Sequence, residues 1–217
     1  MKRDGSYGTL DRNMMTRTGR EESTPMVAEP QHRIQTEPLT VADYERLPDD
    51  GRRYELIDGE LIEMPAPSLC HQLVLAHYFA MMWAYVQEHR LGWVMFSPLD
   101  VELSEHNMLQ PDLVFVSRGN QAMMAGQHVS GSPDIVVEAT SPDSRLRDMV
   151  RKRDKYQFAG VQEYWLIDTK DRTQTTWSLE GRYYVEVSAD EDGKAQSIVL
   201  PDLRIDVEAL FAAAADR

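Results

Sequence analysis

Residues 134–139 (DIVVEA), the helical stretch over 144–159, and residues 164–168 (YWLID) decide the fold. Two short apolar runs separated by a helix form a β–α–β crossover, the connection that parallel neighbouring strands require. Upstream, strands are expected at 112–116 (DLVFV) and 93–103 (WVMFSPLDVEL). Downstream, 173–178 and 181–187 pattern as an appended hairpin, and 206–215 as a closing alanine-rich helix. The spacing predicts an α/β (mixed α+β) chain: a mixed sheet with helices on its faces, an N-terminal β-hairpin and a C-terminal hairpin. No internal repeat appears.

The N-terminal hairpin is centred on YELIDGELIE at 54–63, two strand-like runs about Asp58-Gly59. Asp-Gly between alternating apolar residues is the strongest short-range hairpin signal. With a two-residue turn, Glu55 faces Ile62 and Ile57 faces Glu60, so both glutamates share one face as diagonal neighbours. A solvated face and a shared functional site both account for that pair. Before it, Thr40 is a suitable N-cap for a short helix carrying Asp43 and Glu45, stopped by Pro48-Asp49-Asp50-Gly51. After it, residues 68–89 predict a long, largely buried helix behind Ser68, with Leu69, Leu73, Ala76, Ala80, Trp83 and Ala84 at helical spacing.

Composition bounds the function. The 217 residues, 42% hydrophobic and 27% charged, suit one globular domain with a core of ordinary size. Residues 1–35 keep no hydrophobic period and are expected to form a disordered tail, leaving 36–217 as the domain. The single Cys70 excludes an intrachain disulfide and a cysteine-built zinc site. No run approaches the roughly 18 apolar residues of a membrane span, and the N-terminus lacks the apolar segment of a signal peptide. A soluble, cytoplasmic protein is expected. The net charge is −13, and the acid excess lies within residues 36–217, which carry 17 basic and 31 acidic side chains. This argues against a polyanion binder held by bulk charge, and any nucleic-acid contact must be local or metal-assisted.

Asp112 begins one apolar strand and Glu138 stands near the end of the next. If those strands pair antiparallel, the two carboxylates meet at one edge of the sheet. Paired acids there either remain merely solvated or share a cation, and oxygen ligands completed by water are the usual way to hold Mg²⁺ or Mn²⁺. In the helix that follows, Asp148, Lys152 and Tyr156 recur every four residues, so they share a face. Lys152 is either half of an ordinary surface pair with Asp148 or a charge aimed at a phosphate. With Arg147, Arg151, Arg153 and Lys155 it makes the one concentrated basic patch on an acidic chain. His71, in the first turn of the long helix, is a capping or core-edge histidine or a polar group aimed at a site; His77 and His89 do not form a metal pair with it.

The blocks YELIDGELIEMPAPS, PDLVFV, PDIVVEATSP and RDMVRKRDKYQFAGVQEYWLID, in this order, resemble the bacterial Uma-two-type putative restriction endonuclease family, a branch of the PD-(D/E)XK nuclease superfamily. The resemblance covers roughly 38–212 and implies a restriction-endonuclease-like fold and a metal-dependent endonuclease acting on DNA. It implies Asp112 and Glu138 as ligands of Mg²⁺, or of Mn²⁺. The motif lysine is displaced: Thr140 stands two residues beyond Glu138, and Lys152 is the lysine that the resemblance supplies instead. The superfamily's additional helical acid has no counterpart before Glu88, so Glu55 or Glu60 from the hairpin is expected to replace it, and His71 to contact a phosphate or a water. Asp148 and Tyr156 are expected to orient Lys152. The competing expectation is a catalytically idle module that binds nucleic acid or a protein, which the acidic charge favours. Exposed strand edges and Tyr164-Trp165-Leu166 suggest a homodimer.

Overall fold

The computed structural model describes residues 37–140 and 147–215; the tail expected over 1–35 and the expected helix start at 144–146 lie outside them. Thr40 caps α1 (Val41–Tyr44) through a reciprocal exchange, its hydroxyl accepting from the Asp43 amide while the Asp43 carboxylate accepts from its own. β1 (Arg53–Ile57) and β2 (Glu60–Met64) pair with Glu55 opposite Ile62 and Ile57 opposite Glu60, as the Asp-Gly turn requires. Asp58 and Gly59 both have positive φ, 54° and 72°. That is the mirror-image turn whose twist matches a hairpin.

α2 (Leu69–His89) starts at Ser68, whose Oγ accepts from the His71 amide. Its buried stripe is not the expected one. His71, Val74, Leu75, Tyr78, Met82 and Val86 face the protein, whereas Leu69 and Trp83 are exposed. The helix is apolar nearly all round, so periodicity alone does not choose a face; the larger side chains at 74, 78, 82 and 86 fill the core.

Where one strand was expected over 93–103, the chain forms β3 (Gly92–Phe96) and β4 (Val101–Ser104), which join different sheets. Pro98 has no amide proton to continue a ladder, and the chain crosses between sheets there. The remaining elements are β5 (Asn107–Leu109), β6 (Leu113–Ser117), a 3₁₀ turn, β7 (Val129–Ser130), β8 (Ile135–Thr140), a π-helical turn Arg147–Lys152, α3 (Arg153–Ala159), β9 (Glu163–Asp168), β10 (Thr173–Glu180), β11 (Tyr183–Val187), β12 (Ala195–Gln196), β13 (Arg204–Ile205) and α4 (Val207–Ala215).

The expected single mixed sheet is two mixed sheets. One runs β2-β1-β5-β4-β7 and the other β11-β10-β9-β8-β6-β3, with β12 and β13 forming a separate ribbon. The β8–α3–β9 crossover is present, and β8 and β9 are parallel. β10 and β11 extend the six-stranded sheet through β9. Alternation on its central strands assigns the layers. Leu113, Phe115, Ile135, Val137, Trp165 and Ile167 pack with α2 and α4, while Val114, Val116, Val136, Tyr164 and Leu166 pack with Ile57, Val101 and Leu109 of the five-stranded sheet and Tyr156 of α3. Tyr164-Trp165-Leu166 is consequently buried inside the protein and offers no face to a second copy. No helix among the described residues is long and apolar enough to cross a membrane.

Candidate active site

β6 and β8 are antiparallel with Leu113 opposite Val137. Asp112, just before β6, and Glu138 of β8 therefore stand at the same end of this strand pair, and Lys152 bridges Glu138 to Glu55 of β1 in the five-stranded sheet. Asp112, Glu138, Lys152 and His71 all line one cavity of about 440 Å³.

Lys152 supplies the link between the sheets. It is fully buried, with Nζ 2.9 Å from Glu138 Oε1 and 2.8 Å from Glu55 Oε1. The chain reaches this arrangement through the π-helical turn that ends at Lys152 and hands over to α3. Such turns change the direction in which a side chain leaves a helix and recur at functional sites. Tyr156, one turn on, donates to Glu138 Oε1 at 2.6 Å, so it secures the carboxylate rather than the lysine. Burial, first of all, and the neighbouring Glu138 and Glu55 charges hold the Tyr156 hydroxyl well above its usual range, which keeps it a donor. The side chain of Asp148 lies outside the described residues.

Asp112 is anchored from two directions. Its Oδ2 accepts from the Ala139 amide at 2.8 Å and lies 3.1 Å from His71 Nε2. Burial pulls the His71 imidazole toward neutrality, but the hydrogen bond and charge of Asp112 outweigh it, and the net shift is upward from 6.5. The His71 amide is bound by the Ser68 cap, so α2 presents the ring to Asp112 from its first turn.

The hairpin acids part company. Glu55 is fully buried, its Oε1 accepting also from the Gln110 amide at 2.9 Å, and it does not line the cavity. Glu60 is exposed and pairs with Arg151 at 2.8 Å, outside the cavity, so the geometry gives no support to its expected place as a metal ligand. The diagonal relation of the two glutamates holds, but Glu60 sits at the turn and Glu55 deep in the sheet. Two side chains of the basic patch face the hairpin. Besides Arg151 with Glu60, Lys155 lies 2.5 Å from Asp58, and Arg153 pairs with Asp154 and lies over Trp177. Thr140 is buried, its hydroxyl directed to the Ile167 carbonyl, and has a structural place only.

No cluster of three or more histidine, cysteine, aspartate or glutamate side chains arranged to hold a metal occurs among the described residues. A smaller donor set is present. Asp112 Oδ1 accepts no hydrogen bond among the described residues, and Asp112 and Glu138 line the same cavity. Mg²⁺ characteristically takes one or two carboxylates and keeps several waters, so these two oxygen donors fit it. Arg53, which lines the same cavity, was not anticipated. It stands two residues before Glu55 on β1, and strand alternation places both on one face.

A crystal structure of a putative nuclease belonging to DUF820 from Anabaena variabilis ATCC 29413 is similar to this chain, with a TM-score of 0.69 and 19% identity over 82% of this chain and 99% of that one. No curated protein matches the chain. The model of the Uma2 family, described as putative restriction endonuclease, matches residues 41–208. It takes in both sheets and the crossover that carries Glu138 and Lys152, from α1 to the first turn of α4, and the chain therefore belongs to the Uma2 family.

Proposed function

We propose that the protein is a divalent-metal-dependent endonuclease that hydrolyses phosphodiester bonds of DNA. The observation that carries this reading is the buried Lys152 ammonium, 2.9 Å from the Glu138 carboxylate in the cavity that Asp112 also lines. Asp112 and Glu138 would hold Mg²⁺ or Mn²⁺. Bound there, the cation supplies Lewis acidity toward the phosphate and lowers the pKa of an attacking water. Lys152 places positive charge at the cavity wall, where it offsets the charge that develops on phosphoryl oxygen. Glu55 and Tyr156 act as positioning residues, the first fixing the lysine and the second the Glu138 carboxylate. His71 orients Asp112. Attack of water on phosphorus breaks the bond to the 3′ oxygen, which leaves as an alcohol after taking up a proton.

Nicking of supercoiled plasmid in Mg²⁺ or Mn²⁺ tests the proposal, with Asp112→Ala and Glu138→Ala as controls. Metal-dependent nicking by the wild type, lost in both variants, is expected; equal behaviour of all three proteins refutes it. A cation titration followed by thermal melting reads the same site independently, since a ligand of the native state raises Tm. The pairing of Arg151 with Glu60 and of Lys155 with Asp58 favours a second reading, a catalytically idle binding module. That module would bind partners without any metal-dependent nicking.

A further inference from the structure

We infer that the cavity takes a single unpaired nucleotide of a DNA strand, its base against the Phe96 ring and its phosphate at the Asp112 and Glu138 carboxylates. This rests on the hydrolytic reading above and adds the substrate class to it.

The cavity lining combines two chemistries. Asp112, Glu138, Lys152 and His71 are its charged and hydrogen-bonding part, whereas Pro65, Pro67, Leu75, Phe79, Phe96 and Pro98 are apolar. Phosphate chemistry needs only the polar part. Phe96 ends β3 and is 60% exposed, which leaves a large aromatic surface open beside charged groups. Its ring is held by an edge contact with Phe79, centroids 5.0 Å apart and planes at 81°. A fixed, exposed aromatic in the same cavity as these polar groups meets the two needs of an unstacked nucleotide, since every base has a π-face and stacking is sequence-tolerant. A volume of about 440 Å³ falls in the range of sites for single small ligands.

Charge argues in the same direction. A duplex carries one negative charge per roughly 1.7 Å of axis and is held by several lysines and arginines. Here the net charge is −13, and the described basic side chains of the helix after β8 are paired: Arg151 with Glu60, Arg153 with Asp154, Lys155 with Asp58, and Lys152 with Glu55 and Glu138. Among the described lining residues the only lysine or arginine other than Lys152 is Arg53. Such a site must draw affinity from stacking, which a base within a duplex does not offer.

The test uses a labelled oligonucleotide, single-stranded or annealed to its complement, in Mn²⁺ with the full-length chain. The wild type is expected to cut the single strand with kcat/KM at least ~10-fold above the duplex, by the loss of an accessible base. Phe96→Ala, at an exposed position, should raise KM for the single strand by ~5- to 100-fold with kcat little changed, the range of one lost base–aromatic stack. Phe96→Trp should restore the wild-type KM. Equal or better cutting of the duplex, or an unchanged KM in Phe96→Ala, overturns the inference. If neither form is cut with Mg²⁺ or Mn²⁺, the hydrolytic reading falls and fluorescence anisotropy of the same oligonucleotides decides the substrate class. Tighter single-strand binding that Phe96→Ala abolishes upholds it, and equal binding of both forms overturns it.

Discussion

Lys152 has its ammonium between two buried carboxylates, and removing it should be among the most damaging single changes to stability. Breaking a buried ion pair by deleting one partner costs about 3–5 kcal/mol because a charge is left without compensation. Lys152→Met should therefore lower the unfolding free energy read from a urea titration by that order, and Glu55→Gln in the same background should recover part of the loss, because the residues share one network. A double-mutant cycle that is additive would show that the two groups do not depend on each other. Tyr156→Phe removes a 2.6 Å bond to the Glu138 carboxylate. Its expected cost, read in the same titration, is about 1.5–3 kcal/mol, the value of a hydrogen bond to a charged group. That Asp112 and Glu138 share a cavity was legible from the strands they flank, whereas spacing left Lys152 open between a surface pair and a site residue and only the family resemblance pointed to it. That Tyr156 serves Glu138 rather than Lys152 was not legible, since a four-residue repeat specifies a helix face and not what stands opposite it.

At the scale of elements, the Asp-Gly turn and its flanking alternation specify the hairpin β1–β2 to the residue, including its register. Gly59 explains why the turn tolerates little change: its φ is +72°, and a Cβ there would lie 2.3 Å from Pro38 Cβ. Gly59→Ala should lose about 1–2 kcal/mol from the left-handed conformation alone, and more from the contact, as a lowered midpoint in urea. A midpoint within a few tenths of wild type would mean that the 37–39 segment does not pack on the turn. The same turn carries Asp58 and Glu60, which hold Lys155 and Arg151, so the hairpin also clamps the helix that delivers Lys152. Where local patterns are ambiguous, long-range pairing decides the structure. α2 is apolar on nearly every side, and its buried face is chosen by the sheet beneath it. β3 and β4 read as one strand because both are apolar; their separation into two sheets depends on pairing partners far along the chain, which local alternation does not encode.

The whole molecule joins its C-terminal segment to the six-stranded sheet through another buried acid. Glu163 begins β9 on the face packed by α2 and α4, and its carboxylate accepts from the Ser197 hydroxyl at 2.6 Å and the Ile198 and Val199 amides at 2.9 and 3.4 Å. Burial raises its pKa from 4.5 and exceeds the opposing effect of those three donors. A raised folded value means that the native state binds more protons than the unfolded chain above pH 4.5, so stability declines as pH rises through the folded value and levels off beyond it. Asp43 and Asp50 act with the opposite sign, since hydrogen bonds from Thr40 and from the Arg52 amide lower theirs below 3.8 and their contributions fade on acidification. His71 loses its contribution on the alkaline side, from 6.5 upward. Urea titrations at successive pH values above 4.5 should accordingly show a fall in wild-type stability that Glu163→Gln flattens. The altered hydrogen bonding of the amide adds only a pH-independent offset, so the difference in slope between the two proteins isolates the titration of this one carboxylate. Parallel profiles would mean that Glu163 titrates alike in the folded and unfolded chains, and the clamp on residues 197–199 would then be independent of its charge.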